Sequence, residues 1–306
     1  MKIAITHPGG AYLPELEAYR EYFQQSSHSV DVFTAAEHRD LLHYTVEWRL
    51  LGQDLRPSSP CSHLIHDYRG VPLPPFSRLK TRLKVRSFRK PSLRVFLNAL
   101  VRDAYGFKDD VPELIMDMGV DPAFINAQRK PVYDAVYVGE LSPRRQISGL
   151  LNEFGLGGCR KYSILLVGQP PPELYARFKS CKNICFAGKV AYQEVPSLLA
   201  SARVGINYIP LIYPFTIQTS TKFLEYLATG LATISTFHLP SVNLARKLGH
   251  PIWLVRSITE VAAAMDKAIE SDVFIPTQLL TSLTWQSVFE SVNLVKRVEG
   301  LAATSE

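Results

Sequence analysis

The sequence predicts an α/β protein of two domains, each built on a parallel sheet. Three observations predict it. Beyond residue 131, apolar runs of strand length alternate with stretches of helix length, the pattern of strands joined by helical crossovers. The chain opens in the same way, with strand-like Lys2–Thr6, a helical pattern over 12–25 and strand-like Val30–Thr34. With 306 residues, 46% of them hydrophobic and 20% charged, the chain is large enough for two globular cores.

The remaining elements follow in order. Strand-like pieces lie near His63–His66 and Leu93–Leu97, whereas 35–60 reads as irregular and 70–92 holds too many prolines and charges to read. The second half gives strands at Ala135–Gly139, Ile164–Gly168, Ile184–Gly188, Val204–Ile209, Leu231–Ser235 and Ile252–Val255. Helices are expected between and after them, near 143–155, 171–180, 193–202, 221–229, 240–248 and 258–271, with a last one over about 284–298. The Lys130-Pro131 step suits a linker.

Composition narrows the class. No apolar run approaches a membrane span, and the opening is too short for a signal-peptide core, so a cytoplasmic protein is expected. The four cysteines do not form a disulfide framework, and Cys181-x-x-x-Cys185 lacks the partners of a metal site. Net charge is +6 but uneven: Tyr68 to Arg102 has no acid and ten cations, so the rest of the chain is net negative. Such a block points to an anionic partner. Phe76, Leu79, Leu83 and Phe88 lie among the cations at spacings that fit either a helix or a strand. Apolar residues among cations suit an anionic membrane surface, and nucleic acid is ranked below it for want of a recognition motif.

Residues 216–236 carry the most chemistry. Thr219, Ser220 and Thr221 are N-cap types, Gly230 is placed as a C-cap glycine, and Leu231–Ser235 is a strand-length run. At roughly 100° per residue Phe223, Leu224, Leu227 and Ala228 share one face, with Glu225 well off it. A helix start rich in hydroxyls suits a phosphate, and a carboxylate one turn further in can accept two ribose hydroxyls.

Lys-Phe-Leu-Glu-Tyr-Leu-Ala-x-Gly-x-x-x-Ile-Ser resembles the nucleotide-binding segment of retaining GT-B glycosyltransferases of family 4 (glycosyl transferases group 1). The resemblance implies that Ser220, Thr221 and Lys222 hold a donor diphosphate and that Glu225 binds the ribose. Other segments resemble the same family in the same order. Gly9 and Gly10 lie in the loop that family members place beside the donor. His66-Asp67 is similar to the segment whose histidine contacts the donor sugar; His63 is an alternative at the same strand. Gly139-Glu140-Leu141-Ser142-Pro143-Arg144-Arg145 is similar to a segment with two cations that meet the departing diphosphate. Here Glu140 replaces the first cation, Arg145 falls on the second, and Arg144 is a nearby substitute. Gly188 to Pro196 is similar to the stretch whose backbone reads the base, which puts that role on Val190 with Tyr192 beside it. Ile217 stands where the family has a further glutamate.

The resemblance implies a GT-B fold, two Rossmann-like domains with parallel sheets facing across a cleft. It implies an acceptor-side domain over 1–130, a nucleotide-sugar-binding domain over 131–283 and a helix over 284–306 crossing back to the first. The implied enzyme is a hexosyltransferase-type transferase in cell-surface polysaccharide synthesis. It would move sugar from a nucleoside-diphosphate sugar to a glycan or lipid-linked acceptor, with retention and without metal or other cofactor. Residues 69–102 would hold it peripherally at the inner face of a membrane. A degenerate GT-B protein that binds nucleotide or a partner subunit without turnover is the alternative, and Glu140 and Ile217 are its support.

Overall fold

The structure, a computed structural model, describes residues 1–9, 13–34, 37, 40–50, 59–87, 90–271 and 276–303. The chain divides into two compact units, Met1–Gly119 with the segment from Trp285, and Val120–Thr284. The expected boundary at 130–131 therefore moves to 119–120. The reason is local. Asp121 caps a short helix, accepting from the Ala123 amide at 2.7 Å, and that helix packs on helices of the second unit. Val120 bridges to Thr284 within the same unit. Just before it, Gly119 meets Trp285 so closely that a Cβ would lie 2.6 Å from the Trp285 Cα.

The first unit has six parallel strands, β1 Lys2–His7, β2 Ser29–Thr34, β3 Val46–Leu50, β4 His63–Tyr68, β5 Leu93–Phe96 and β6 Glu113–Ile115, in the order β2-β1-β3-β4-β5-β6. Its helices are α1 Pro14–Gln25, α2 Ser77–Ser87 and α3 Ala99–Tyr105. The core packs Tyr19 and Phe23 of α1 against Ile3, Ile5, Trp48, Ile65 and Val95. The end of the chain completes this core with Trp285, Phe289, Leu294 and Val298.

In sequence, the second unit falls between these parts. Its strands are β7 Tyr133–Val138, β8 Ile164–Val167, β9 Ile184–Gly188, β10 Ala202–Asn207, β11 Ala232–Thr236 and β12 Ile252–Val255. They run parallel in the order β12-β11-β10-β7-β8-β9. The helices are α4 Pro122–Ile125, α5 Ile147–Gly155, α6 Pro172–Phe178, α7 Val195–Ala200, α8 Thr221–Ala228, α9 Leu239–Leu248, α10 Val261–Ile269 and α11 Thr277–Thr281. The first unit then receives α12 Trp285–Ser291 and α13 Leu294–Ala303, broken by Asn293 in the left-handed region where one helix was expected.

Strand ends in the second unit come unusually close. A Cβ on Gly168 would lie 2.1 Å from the Gly139 carbonyl oxygen, and Gly168 has φ +150°, so only glycine fits. Gly205, inside β10, leaves room for the Tyr226 ring, which a Cβ would meet at 2.5 Å. That close seat fixes α8 against the sheet.

Candidate functional site

The site is built where the strands of the second unit end and helices begin, the edge at which open parallel sheets take ligands. Asn207 closes β10 and is fully buried. Its Oδ1 accepts from Ser220 Oγ at 2.7 Å, and its Nδ2 donates to Ser235 Oγ at 2.8 Å and Ser241 Oγ at 3.1 Å. One amide thus ties the start of α8 to the end of β11 and the start of α9. His238 continues the network, with Nδ1 2.7 Å from Ser241 Oγ and Nε2 3.1 Å from the Phe215 carbonyl. Burial lowers the His238 imidazole to about 4, so it is neutral near pH 7. Sequence reasoning passed over Asn207 and His238. The available signal was a side-chain amide ending an apolar strand, Val204-Gly205-Ile206-Asn207.

Tyr226 fixes α8 from the other side. Its hydroxyl accepts from the Val138 amide at 3.0 Å, while the ring is fully buried. The helix therefore starts at a set height above β7 and β10. Ser220 holds the N-cap position but its side chain does not cap α8, because its hydroxyl is spent on Asn207. The first turn of α8, with Thr221 half-buried on it, therefore lacks a cap from Ser220, and a helix start of this kind suits an anion.

Lys222 turns back over the sheet edge. Its Nζ donates to the Tyr208 carbonyl at 3.0 Å and lies 4.1 Å from the centre of the Tyr137 ring. Burial and then the nearby Arg145 push its ammonium well below the usual lysine range, and Glu225 opposes this. Arg145 stacks over the Phe215 ring at 4.8 Å. Lys222 and Arg145 thus each lie over an aromatic face near the start of α8, and the Arg145 charge acts on Lys222.

Glu225 is not on an open helix face as the apolar pattern suggested. Phe223 through Ala228 are all buried, and Glu225 is only 5% exposed. Tyr192 donates to its Oε1 at 3.2 Å. Burial raises the carboxyl to about 7, with the Tyr192 bond and Lys222 pulling the other way. Tyr192 itself packs edge-on to Phe124 at 5.6 Å. Val190 is half-buried in the turn between β9 and Tyr192.

Glu140 is a partner of both arginines. It accepts from Arg144 Nη2 at 2.9 Å, from Arg145 Nε at 3.3 Å and from Ser142 Oγ at 2.5 Å. Arg144 is the more exposed cation, and Arg145 is the one beside Lys222. The acid that takes the place of a cation thus serves as a counter-ion for the two that remain.

The other expected residues lie in the first unit. Gly9 follows β1 in the left-handed region, its amide donating to His7 Nδ1 at 3.2 Å; Gly10 lies outside the described residues. His66 does not end its strand. β4 continues to Tyr68, which puts His66 inside the sheet between Arg49 and Arg94, fully buried and 3.3 Å from the Tyr68 hydroxyl. His63 opens the same strand and is also buried. The structure thus groups Ser220, Thr221, Lys222, Glu225, Arg144 and Arg145 around one sheet edge, with Val190 beside Tyr192.

The family model for glycosyl transferases group 1 matches residues 133–271. No curated protein sequence matches the chain. Among solved structures, the Anabaena protein HepE in complex with UDP-glucose is 15% identical, with 99% of each chain covered and a TM-score of 0.65. AviGT4, a glycosyltransferase involved in avilamycin A biosynthesis, is 14% identical over 99% of this chain and 98% of its own, with a TM-score of 0.66. Sucrose-phosphate synthase from Thermosynechococcus elongatus is 12% identical over 98% and 99%, with a TM-score of 0.70. The fold of this chain, two Rossmann-like units of parallel sheet and helices, is the GT-B glycosyltransferase fold.

Proposed function

We propose that the chain transfers a sugar from a nucleoside-diphosphate sugar to a glycan or lipid-linked acceptor. The observation that carries this reading is the meeting of Lys222, Arg145 and buried Glu225 at the start of α8. Glu225, oriented by Tyr192, would accept the ribose hydroxyls. The first turn of α8 with Thr221 would take the diphosphate, and Lys222 and Arg145 would meet the charge that grows as it departs. The backbone at Val190 would face the base. No resident metal is invoked, since side-chain cations and the helix start do that work. Gly9, Gly10 and His66 join the reading as donor-side residues of the first unit, on the sequence resemblance alone. Retention of configuration, a cell-surface polysaccharide as product and a cytoplasmic setting go with the same reading.

Uridine diphosphate is the first ligand to try, because the solved relative HepE holds UDP-glucose. Titration calorimetry against UDP, GDP and ADP is expected to pick one nucleotide clearly. Lys222→Ala should weaken that binding roughly ten- to a hundredfold, because a charged hydrogen bond to the diphosphate is lost. Unchanged affinity in Lys222→Ala would remove Lys222 from the phosphate site. Proton NMR of the products with UDP-sugars then reads turnover and anomeric outcome together. Glu140 favours a second reading, a nucleotide-binding chain without turnover, because it already pairs with Arg144 and Arg145. Selective binding without any transfer or hydrolysis would decide for it.

A further inference from the structure

The cationic block of 68–102 divides in two once it is folded. Its outer members are paired: Arg69 with Asp67 at 2.9 Å, Lys90 with Asp110 at 3.1 Å, Arg94 with Asp109 at 2.6 Å and Arg102 with Asp103 at 2.8 Å. Three members on α2 differ. Among the described residues no carboxylate pairs with Lys80, Arg82 or Arg86, and all three are exposed.

α2 is also turned inside out. An ordinary surface helix buries its leucines and exposes its hydroxyls. Here Ser77 and Thr81 are buried, Thr81 Oγ1 donating to the Ser77 carbonyl at 2.9 Å, while Leu79 is 55% and Leu83 54% exposed. At roughly 100° per residue Leu79 and Leu83 stand at the centre of the outward face, with Arg82 and Arg86 on one flank and Lys80 on the other. Phe76 precedes the helix and is 74% exposed, with Leu73 close by and also exposed. Phe76 has φ 62°, a left-handed conformation unfavourable for any residue with a Cβ, and its carbonyl accepts from the Lys80 amide at 3.0 Å. The chain accepts backbone strain to hold an aromatic ring in solvent beside two outward leucines.

We propose that the outward face of α2, with Phe76 and Leu73, is a docking surface for an anionic lipid bilayer. Apolar side chains flanked by Lys80, Arg82 and Arg86, none of them paired with a carboxylate among the described residues, match the boundary between acyl chains and acidic headgroups, the leucines and the ring entering the first and the arginines meeting the second. Among the described residues no helix is long and apolar enough to cross a membrane, so attachment here is lateral and reversible. The surface lies in the first unit and does not rest on the nucleotide reading.

Flotation of the full chain with vesicles tests it. At about 0.1 M salt the protein is expected to float with phosphatidylglycerol–phosphatidylcholine vesicles and not with phosphatidylcholine alone. Leu79→Ser with Leu83→Ser should lower the partition about tenfold or more, because two apolar contacts are lost. Arg82→Gln with Arg86→Gln should lower it by a similar factor, and both variants should keep the wild-type circular dichroism and melting temperature. The proposal falls if the wild type fails to float, if it floats equally with neutral vesicles, or if either double variant floats like wild type. It falls too if heparin binds as tightly as vesicles and the leucine variant binds heparin and vesicles alike, which would make the surface a plain polyanion site.

Discussion

The two sheets have the same strand count and direction, yet they bury opposite things. In the second unit the sheet core is apolar, and buried polar groups such as Asn207, Ser235, Thr236 and His238 gather at one end of the strands. In the first unit charges run through the middle of the sheet. Glu47 and Arg49 pair at 2.9 Å with almost no exposure, and Thr6 donates to Glu47 at 3.0 Å. On the opposite face Trp48 and Tyr19 donate to Asp67 at 2.9 and 2.8 Å. One unit keeps its polar groups where a ligand can use them; the other uses them as internal structure. A buried charge is costly to strand without its partner, so the first unit is the brittle one.

The largest test of that contrast is Arg49→Ala, which strands Glu47 in the first unit. A loss of about 3–5 kcal/mol is expected for a broken buried pair. Trp253 is the only tryptophan of the second unit, so in a Trp253→Phe background urea unfolding by fluorescence follows Trp48 and Trp285 of the first unit. A loss under about 1 kcal/mol would put the Glu47–Arg49 pair in the class of surface pairs.

Next in size is Glu225→Gln, which keeps the shape and the Tyr192 contact but removes the charge. The affinity for the best nucleotide should fall roughly ten- to a hundredfold, the range of about 1.5–3 kcal/mol for a charged hydrogen bond. The same variant carries a pH signature. The folded carboxyl titrates near 7 rather than 4.5, so between those values the folded chain holds a proton that the unfolded chain has released. Wild-type stability should therefore fall as pH rises from 4.5 towards 7, and the melting temperature of Glu225→Gln should lack that part of the fall. Parallel curves for the two proteins would mean that the carboxyl is not desolvated.

Tyr226→Phe tests the apolar unit at the tie between α8 and β7. It leaves the buried Val138 amide without its acceptor, at a cost of about 1–3 kcal/mol. Thermal unfolding followed at Trp253 in a Trp48→Phe, Trp285→Phe background reads it. The smallest effect belongs to Glu140→Ala. It breaks two exposed ion pairs, so stability should move by less than about 1 kcal/mol, while nucleotide affinity rises a few-fold as Arg144 and Arg145 lose their counter-ion. Weaker nucleotide binding in Glu140→Ala would show that Glu140 positions the arginines.

The same contrast explains what could be read in advance. Strands of the second unit are unbroken apolar runs such as Ile164–Val167, so their order and the loops after them were legible. β3 was not, because Glu47 and Arg49 interrupt Val46-Glu47-Trp48-Arg49-Leu50, although it is a central strand between β1 and β4. Periodicity sees an isolated charge as exposed; only the tertiary partner makes it a core residue. α2 was hidden for a related reason, its leucines lying outside and its hydroxyls inside. In the site, the residue types at the start of α8 were legible from local chemistry. The hub at Asn207 and the burial of Glu225 were not, since both depend on contacts far along the chain, Ser235 and Ser241 for one and Tyr192 for the other.

The return of the chain at Trp285 sets an order of manufacture. A ribosome releases Val120–Thr284 as one continuous stretch, and that unit has every residue of its core before the last helices exist. The first unit emerges earlier but lacks Trp285, Phe289, Leu294 and Val298 until the whole second unit has been made. The part made first is thus finished last. Its open apolar face must stay in keeping, guarded by chaperones or by slow collapse, for the whole time the middle of the chain is being made. A stop codon just before Trp285 would therefore spoil the beginning of the protein rather than its end.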